Sequence, residues 1–217
     1  LRRAHDRIAT DLEARPVADH RIIHVGDYID RGPDSAGVID RLAGLSEADS
    51  HVICLGGNHD ALMLDFLDDP VEAAPVWLMN GGEATLASYG LSVGAWHGRD
   101  KALKALSEQL AEALPEHHRR FLEGLQLSAH FGDFFFCHAG IRPGVPLDAQ
   151  SRQDLIWIRQ DFLRDESDHG AVVVHGHTPA SEPEVRSNRI NVDTGAVFGG
   201  ALTVLCLEGT EHRFLAL

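Results

Sequence analysis

An α/β fold is predicted for this 217-residue chain by three features: apolar strand-like runs alternate with helical segments, the middle is helical, and the last third is rich in strands. Helical rhythm opens the chain to about residue 14, with Ala4, Ile8 and Leu12 on one face. A strand follows over 20–26, a helix over 35–45, a strand over 51–55 and a helix from about 60. From Asp69 to Leu125 the pattern is helical, and LKALSEQLAEAL places apolar residues at spacings of three and four. Pro115 then starts another helix. LSAHFG and DFFFCHAG, meeting at Gly132-Asp133, form a predicted hairpin. A helix over 152–165 separates it from the strand runs AVVVHGH, RINVDTGA, ALTVLCLEG and HRFLAL. With no repeat, linker or low-complexity run, the expectation is a single domain over 1–217 with a mainly helical insertion at about 69–125.

Composition narrows the class. An apolar content of 44% supports a packed core, and 19 basic against 33 acidic residues give a net charge of −14. That balance disfavours binding to a nucleic-acid polymer, although a few local cations still suffice for a small phosphorylated ligand. Cys54, Cys137 and Cys206 lie in apolar runs with no CxxC spacing and are expected to be reduced core residues. No run approaches the roughly 18 apolar residues of a membrane span, and no signal peptide opens the chain, so the expected location is the cytoplasm.

Polar residues at strand ends carry the chemistry. Asp27 follows the first strand run, Asn58-His59-Asp60 the second, His138 the run FFFC, His175-Gly176-His177 the run AVVV, and Asp193 the run RINV. In α/β sheets ligands bind beyond the carboxyl ends of strands, so these loops are candidates for one site. Each also has a structural alternative. Asn-His-Asp after glycines is an ordinary turn, His138 and His175 suit hydrogen-bonded core histidines, and Asp193 suits an Asx-turn or a helix cap. Recurrence favours a metal site, and oxygen donors mixed with imidazole suit Mn, Fe or Zn better than Mg or Ca.

In that order GDYIDRG, GGNHD, HAG and GHTP resemble the signature blocks of the calcineurin-like metallophosphoesterases. The likeness is to the phosphoprotein phosphatase branch, with its bacterial protein-phosphatase-like and diadenosine-tetraphosphatase-like members, and spans about residues 20–200. It implies a four-layer α/β/β/α sandwich and two divalent metal ions, manganese first, with iron or zinc as alternatives. Asp27 would bridge the ions, and Asn58, His138 and His177 would complete the second ion's ligands. A hydroxide between the metals would attack phosphorus in line. His59 resembles the general acid that protonates the leaving alkoxide, oriented by Asp30 or, as a rival, Asp60. Arg31 resembles a phosphate clamp, since a guanidinium fork matches phosphate oxygens. Arg159, in WIRQDF, resembles a second phosphate-binding arginine, and Arg142, in HAGIRPG, competes for that role.

The family's GDxHG block, which supplies an Asp and a His to the first metal after the first strand, is not among these residues. His5 and Asp6 lie in the opening helix and lack its strand and glycines, so the block and strand are expected upstream of Leu1, and turnover by these residues alone is left open. The implied function is phosphoester hydrolysis, on a Ser/Thr or Tyr phosphoprotein or, alternatively, a dinucleoside polyphosphate. A metal-free binding or scaffold relative is the contrasting expectation. Oligomeric state is not encoded in these patterns.

Overall fold

The computed structural model describes residues 1–94 and 99–216; residues 95–98 of the expected insertion and Leu217 of the predicted HRFLAL strand lie outside the described residues. The first elements are α1 (Arg2–Ala14), β1 (Ile22–His24), α2 (Ser35–Ala48), β2 (Val52–Cys54), α3 (Asn58–Asp68), α4 (Pro70–Trp77) and α5 (Glu83–Ser88). Then come α6 (Asp100–Ala113), α7 (Glu116–Glu123), β3 (Ser128–Phe131), β4 (Phe134–Cys137), α8 (Arg152–Trp157) and α9 (Gln160–Leu163). Strands β5 (Val172–His175), β6 (Glu184–Val185), β7 (Arg189–Asn191), β8 (Val204–Glu208) and β9 (Glu211–Leu215) complete the chain. The α/β class is as expected. The chain divides into two compact units, His24–Leu127 and a second made of Leu1–Ile23 with Ser128–Leu217.

In the His24–Leu127 unit, polar caps set where helices start. The Asp34 carboxylate accepts from Gly37 N–H at 3.2 Å and opens α2. Asp69 accepts from Glu72 N–H ahead of Pro70, the favoured proline position of a first turn. At α3, Asp60 reaches back to Gly57 N–H at 2.8 Å, which satisfies one of the donors a helix start leaves open. The core beneath is apolar: Leu42, Met63, Leu86 and Leu110 are buried, and the Phe66 and Trp77 rings lie 4.8 Å apart. Beyond β2, Leu55 N–H donates to His24 O at 2.9 Å and Gly56 N–H to Gln126 O at 2.8 Å. These bonds anchor the strand exits from which GDYIDRG and GGNHD depart.

In the other unit, β3-β4-β5-β7-β6 is the order of a five-stranded sheet. Strands β3 and β4 form the predicted antiparallel hairpin, with Ser128 opposite Cys137, and Gly132 turns it at φ 56°. Strands β4, β5 and β7 run parallel, in the register Phe136 to Val174 and Val174 to Ile190. Parallel pairing brings the carboxyl ends of β4 and β5 out on one edge, where Gly176 N–H donates to His138 O at 2.8 Å. The edge strand β6 was not anticipated, because two residues paired antiparallel to β7 carry no periodicity. The helix expected over 152–165 is two helices: Ile158 turns extended at ψ 145°, Arg159 follows at φ −133° and ψ −98°, and the break buries Ile158 while Arg159 stays exposed. A β8–β9 hairpin closes the chain, and Arg213 pairs with Asp11 of α1 through Nη1 and Oδ1 at 2.8 Å.

All three cysteines are free; Cys54 and Cys137 are buried as expected, whereas Cys206 is only half-buried on the terminal hairpin. Burial pushes the Cys54 thiol up to about 12 and raises that of Cys137 further, so both remain protonated at neutral pH. Among the described residues no helix is long and apolar enough to cross a membrane.

Candidate active site

GDYIDRG is wound tightly. Among the described residues the non-glycine positions with positive φ are Asp27 (59°), Asp30 (72°), Arg31 (60°) and His177 (65°), each a candidate site residue from the sequence. Such conformations cost energy for residues with a Cβ and persist where the surroundings dictate them. In the His24–Leu127 unit the surroundings are visible. Asp60 accepts from Asp27 N–H at 2.9 Å and Gly57 N–H at 2.8 Å through Oδ2, and from Tyr28 N–H at 3.0 Å through Oδ1. One buried carboxylate thus joins GDYIDRG to GGNHD. Asp27 Oδ1 in turn accepts from His59 N–H at 3.0 Å. Gly57 is required by this closeness, because a Cβ there would sit 2.1 Å from Asp27 Oδ1.

His59 and Asp30 form a buried pair, with His59 Nδ1 2.5 Å from Asp30 Oδ2. Asp60, the rival, is used for backbone bonds instead. The other oxygen, Asp30 Oδ1, accepts from Thr85 Oγ1 at 2.7 Å and from Trp77 Nε1 at 3.1 Å. A carboxylate with both oxygens engaged has one orientation, and it fixes the imidazole through Nδ1, leaving Nε2 as the second ring nitrogen. Trp77 and Thr85 were missed by the sequence reasoning, since they lie 47 and 55 positions from Asp30 and resemble ordinary helix residues. Arg31, exposed, donates from Nη2 to Asn80 Oδ1 at 3.3 Å and from its backbone to Gly81 O at 3.2 Å. A widened turn over Leu78–Gly82 separates α4 from α5, with Gly81 at φ 104°; a Cβ on Gly81 would lie 2.6 Å from Arg31 Cγ. The Gly81-Gly82 pair inside a helical run was the one available signal. Asn58, the remaining candidate of this unit, is buried at the start of α3.

The second unit holds the other candidates. His138 and His177 are buried, with His138 Nε2 3.1 Å from His177 Nδ1 and their rings edge to face. Gly140, at φ 150°, follows His138 where a Cβ would lie 2.2 Å from the Phe162 ring. Trp157 sets its ring edge-on to His177 at 6.1 Å. Arg159 points at the same loop, 3.5 Å from Thr178 Oγ1, and forms no ion pair among the described residues. Arg142 differs: Asp154 and Asp161 each take a guanidinium nitrogen at 2.6 Å, and bonds to the two carboxylates raise its pKa. The two arginines line one hollow of about 240 Å³ with Asp154 and Trp157. His175 is the core histidine of the alternative reading. It is buried against Phe162, its Nδ1 lies 3.1 Å from Gly176 O, and desolvation lowers its pKa to about 4. Asp193 makes an Asx-turn, accepting from Gly195 N–H at 2.9 Å.

The residue types in each unit fit divalent ions. Asp27 and Asn58 of His24–Leu127 offer oxygen, His138 and His177 of the other unit offer imidazole nitrogen, and donors of these kinds suit Mn, Fe or Zn. Nitrogens 3.1 Å apart also match the separation of about 3 Å between ligands that share an ion at roughly 2.0–2.1 Å.

Comparison with known proteins agrees with the blocks. The calcineurin-like phosphoesterase family model matches residues 4–200. A bis(5'-nucleosyl)-tetraphosphatase PrpE of Anoxybacillus flavithermus is 29% identical over 202 residues, covering 85% of this chain and 74% of its own length. Serine/threonine-protein phosphatase 1 of Salmonella typhimurium is 31% identical over 195 residues, covering 86% and 78%. Among solved structures, one described as a putative diadenosine tetraphosphatase superposes with a TM-score of 0.63 at 19% identity, covering 97% of this chain and 87% of its own. A cold-active protein-tyrosine phosphatase of a Shewanella species gives 0.52 at 16% identity, covering 98% and 77%, and at these identities the likeness is one of fold. With the family model spanning nearly all of it, the chain belongs to the calcineurin-like phosphoesterases, a family of metal-using phosphoester hydrolases.

Proposed function

We propose that this protein removes phosphate from phosphorylated proteins by metal-dependent hydrolysis. The buried His59–Asp30 pair carries the reading, because a satisfied carboxylate aligning an imidazole is what proton delivery to a leaving oxygen requires. Asp27, Asn58, His138 and His177 would hold the ions. When bound, two divalent ions acidify water and offset the charge on phosphate. His59 Nε2 then gives its proton to the departing alkoxide, while Nδ1 stays on Asp30. Arg31 binds phosphate oxygens from a backbone held by Gly81, and Arg159, which forms no ion pair among the described residues, is the second phosphate-binding group. Arg142 is assigned a different role: its two carboxylate partners brace the segment that carries Arg159.

The PrpE relatives support a second substrate, a dinucleoside tetraphosphate. Both readings rest on the same chemistry and are separated by turnover. The protein carrying this chain, supplied with Mn²⁺, is expected to hydrolyse a chromogenic phosphomonoester and a phosphoserine peptide faster than diadenosine tetraphosphate. Asp27→Asn and His59→Asn are each expected to lower kcat by about 100-fold or more. Unchanged rates in these variants would remove the mechanism, and faster cleavage of the dinucleotide would transfer the assignment to the second substrate.

A further inference from the structure

Away from the four sequence blocks, the helices of the His24–Leu127 unit bring together another set of metal-competent side chains. Asp40 on α2 faces His117 and His118 on α7, with Asp40 Oδ1 3.0 Å from His117 Nε2 and 3.5 Å from His118 Nε2. We infer that Asp40, His117 and His118 form a second divalent-metal site, selective for zinc-class ions, that staples α2 to α7.

Spacing is the first argument. A tetrahedral ion bound at about 2.0–2.1 Å sets its ligands roughly 3.3 Å apart, and the two separations from Asp40 Oδ1 bracket that value. All three ligand atoms lie within 4.8 Å of one another. Orientation is the second. His118 is fixed from behind, its Nδ1 2.9 Å from Tyr89 Oη and its ring edge-on to the tyrosine. A histidine whose far nitrogen is held by a hydrogen bond presents the near one in a set direction, as metal-binding histidines do. Access is the third. The His118 side chain is 4% exposed, whereas Asp40 is 69% and His117 44% exposed, so one wall is rigid and the other open to an ion and its waters. Two imidazoles and one carboxylate favour Zn, Ni or Co over Mg or Ca.

The test uses zinc chloride alone. Chelator-stripped Asp27→Asn protein, re-equilibrated with limiting zinc and dialysed, is compared with the same variant carrying Asp40→Asn and His117→Gln. Both added changes are at exposed side chains, and circular dichroism checks the fold of each protein. The expected result is one zinc per chain fewer in the triple variant, together with loss of a zinc-induced rise in Tm that Asp27→Asn retains. Histidine ¹⁵N spectra of Asp27→Asn should show His117 and His118 Nε2 resonances shifting on zinc addition. Equal zinc content in the two proteins, with unshifted resonances, would overturn the inference and leave Asp40 as a hydrogen-bond acceptor for two imidazoles only.

Discussion

Asp30 shows how much one side chain depends on residues distant from it in sequence. Its Oδ2 holds His59, while Thr85 and Trp77 immobilise Oδ1 and Thr85 Oγ1 also accepts from Asp30 N–H at 2.9 Å. A left-handed aspartate at φ 72° is held in place by these bonds. Removing the indole donor is therefore expected to loosen the imidazole without touching substrate. Trp77→Phe should lower kcat roughly tenfold and leave KM nearly unchanged, since a hydrogen bond to a charged group contributes about 1.5–3 kcal/mol. Steady-state kinetics on the chromogenic ester, beside a denaturation curve to subtract any loss of packing, measure this. A change in KM alone would show that Trp77 acts on binding instead.

At the scale of elements, two loops are joined by backbone fit more than by side-chain number. The first turn of α3 presses Gly57 against Asp27, and the Asp60 carboxylate ties the turn to Asp27 and Tyr28. Gly57→Ala is expected to force the loops apart, because a Cβ 2.1 Å from a carboxylate oxygen cannot be relieved by rotating a distant atom. Activity should fall by about 100-fold, in line with the sensitivity of catalysis to a displacement of about 1 Å, while far-ultraviolet dichroism stays near wild type. Retained activity would mean that the loops have slack that the packing does not suggest. The sheet edge supplies a second case: β6 contributes Glu184, whose Oε2 accepts from the buried Arg189 guanidinium of β7 at 2.6 Å.

For the molecule as a whole, stability should decline in acid. Arg189, and after it Arg186, hold the Glu184 carboxyl below its ordinary value; Arg213 does the same for Asp11, and His117 for Asp40. A carboxyl depressed on folding contributes stability that is present above its unfolded pKa and is lost as pH falls through the folded one. For Glu184 the window opens near the ordinary 4.5 and extends below it. Glu184→Gln is expected to cost about 1–2 kcal/mol at pH 7, less than for a fully buried pair because the carboxylate is partly exposed. In urea titrations that deficit should narrow as pH drops from 6 to 3. A deficit constant with pH would place the effect in packing and not in charge.

Much of the candidate site was legible because its residues sit at strand exits, where local pattern and position coincide. GDYIDRG, GGNHD, HAG and GHTP each lie within a few positions of a β-strand, where candidate ligands are sought in an α/β chain. Helices and the hairpin at Gly132 were equally local, being set by periodicity, caps and a turn. Three-dimensional packing alone paired His59 with Asp30, set Arg142 between two carboxylates, packed His175 against Phe162 and placed Asp193 in an Asx-turn. It also assembled Trp77 and Thr85 behind Asp30, and Asp40 beside His117 and His118. The physical reason is common to these cases. Amino-acid order states which groups can donate, accept or bind a metal, but hydrogen-bond partnership depends on separations of about 3 Å between residues tens of positions apart, which only the folded chain brings together.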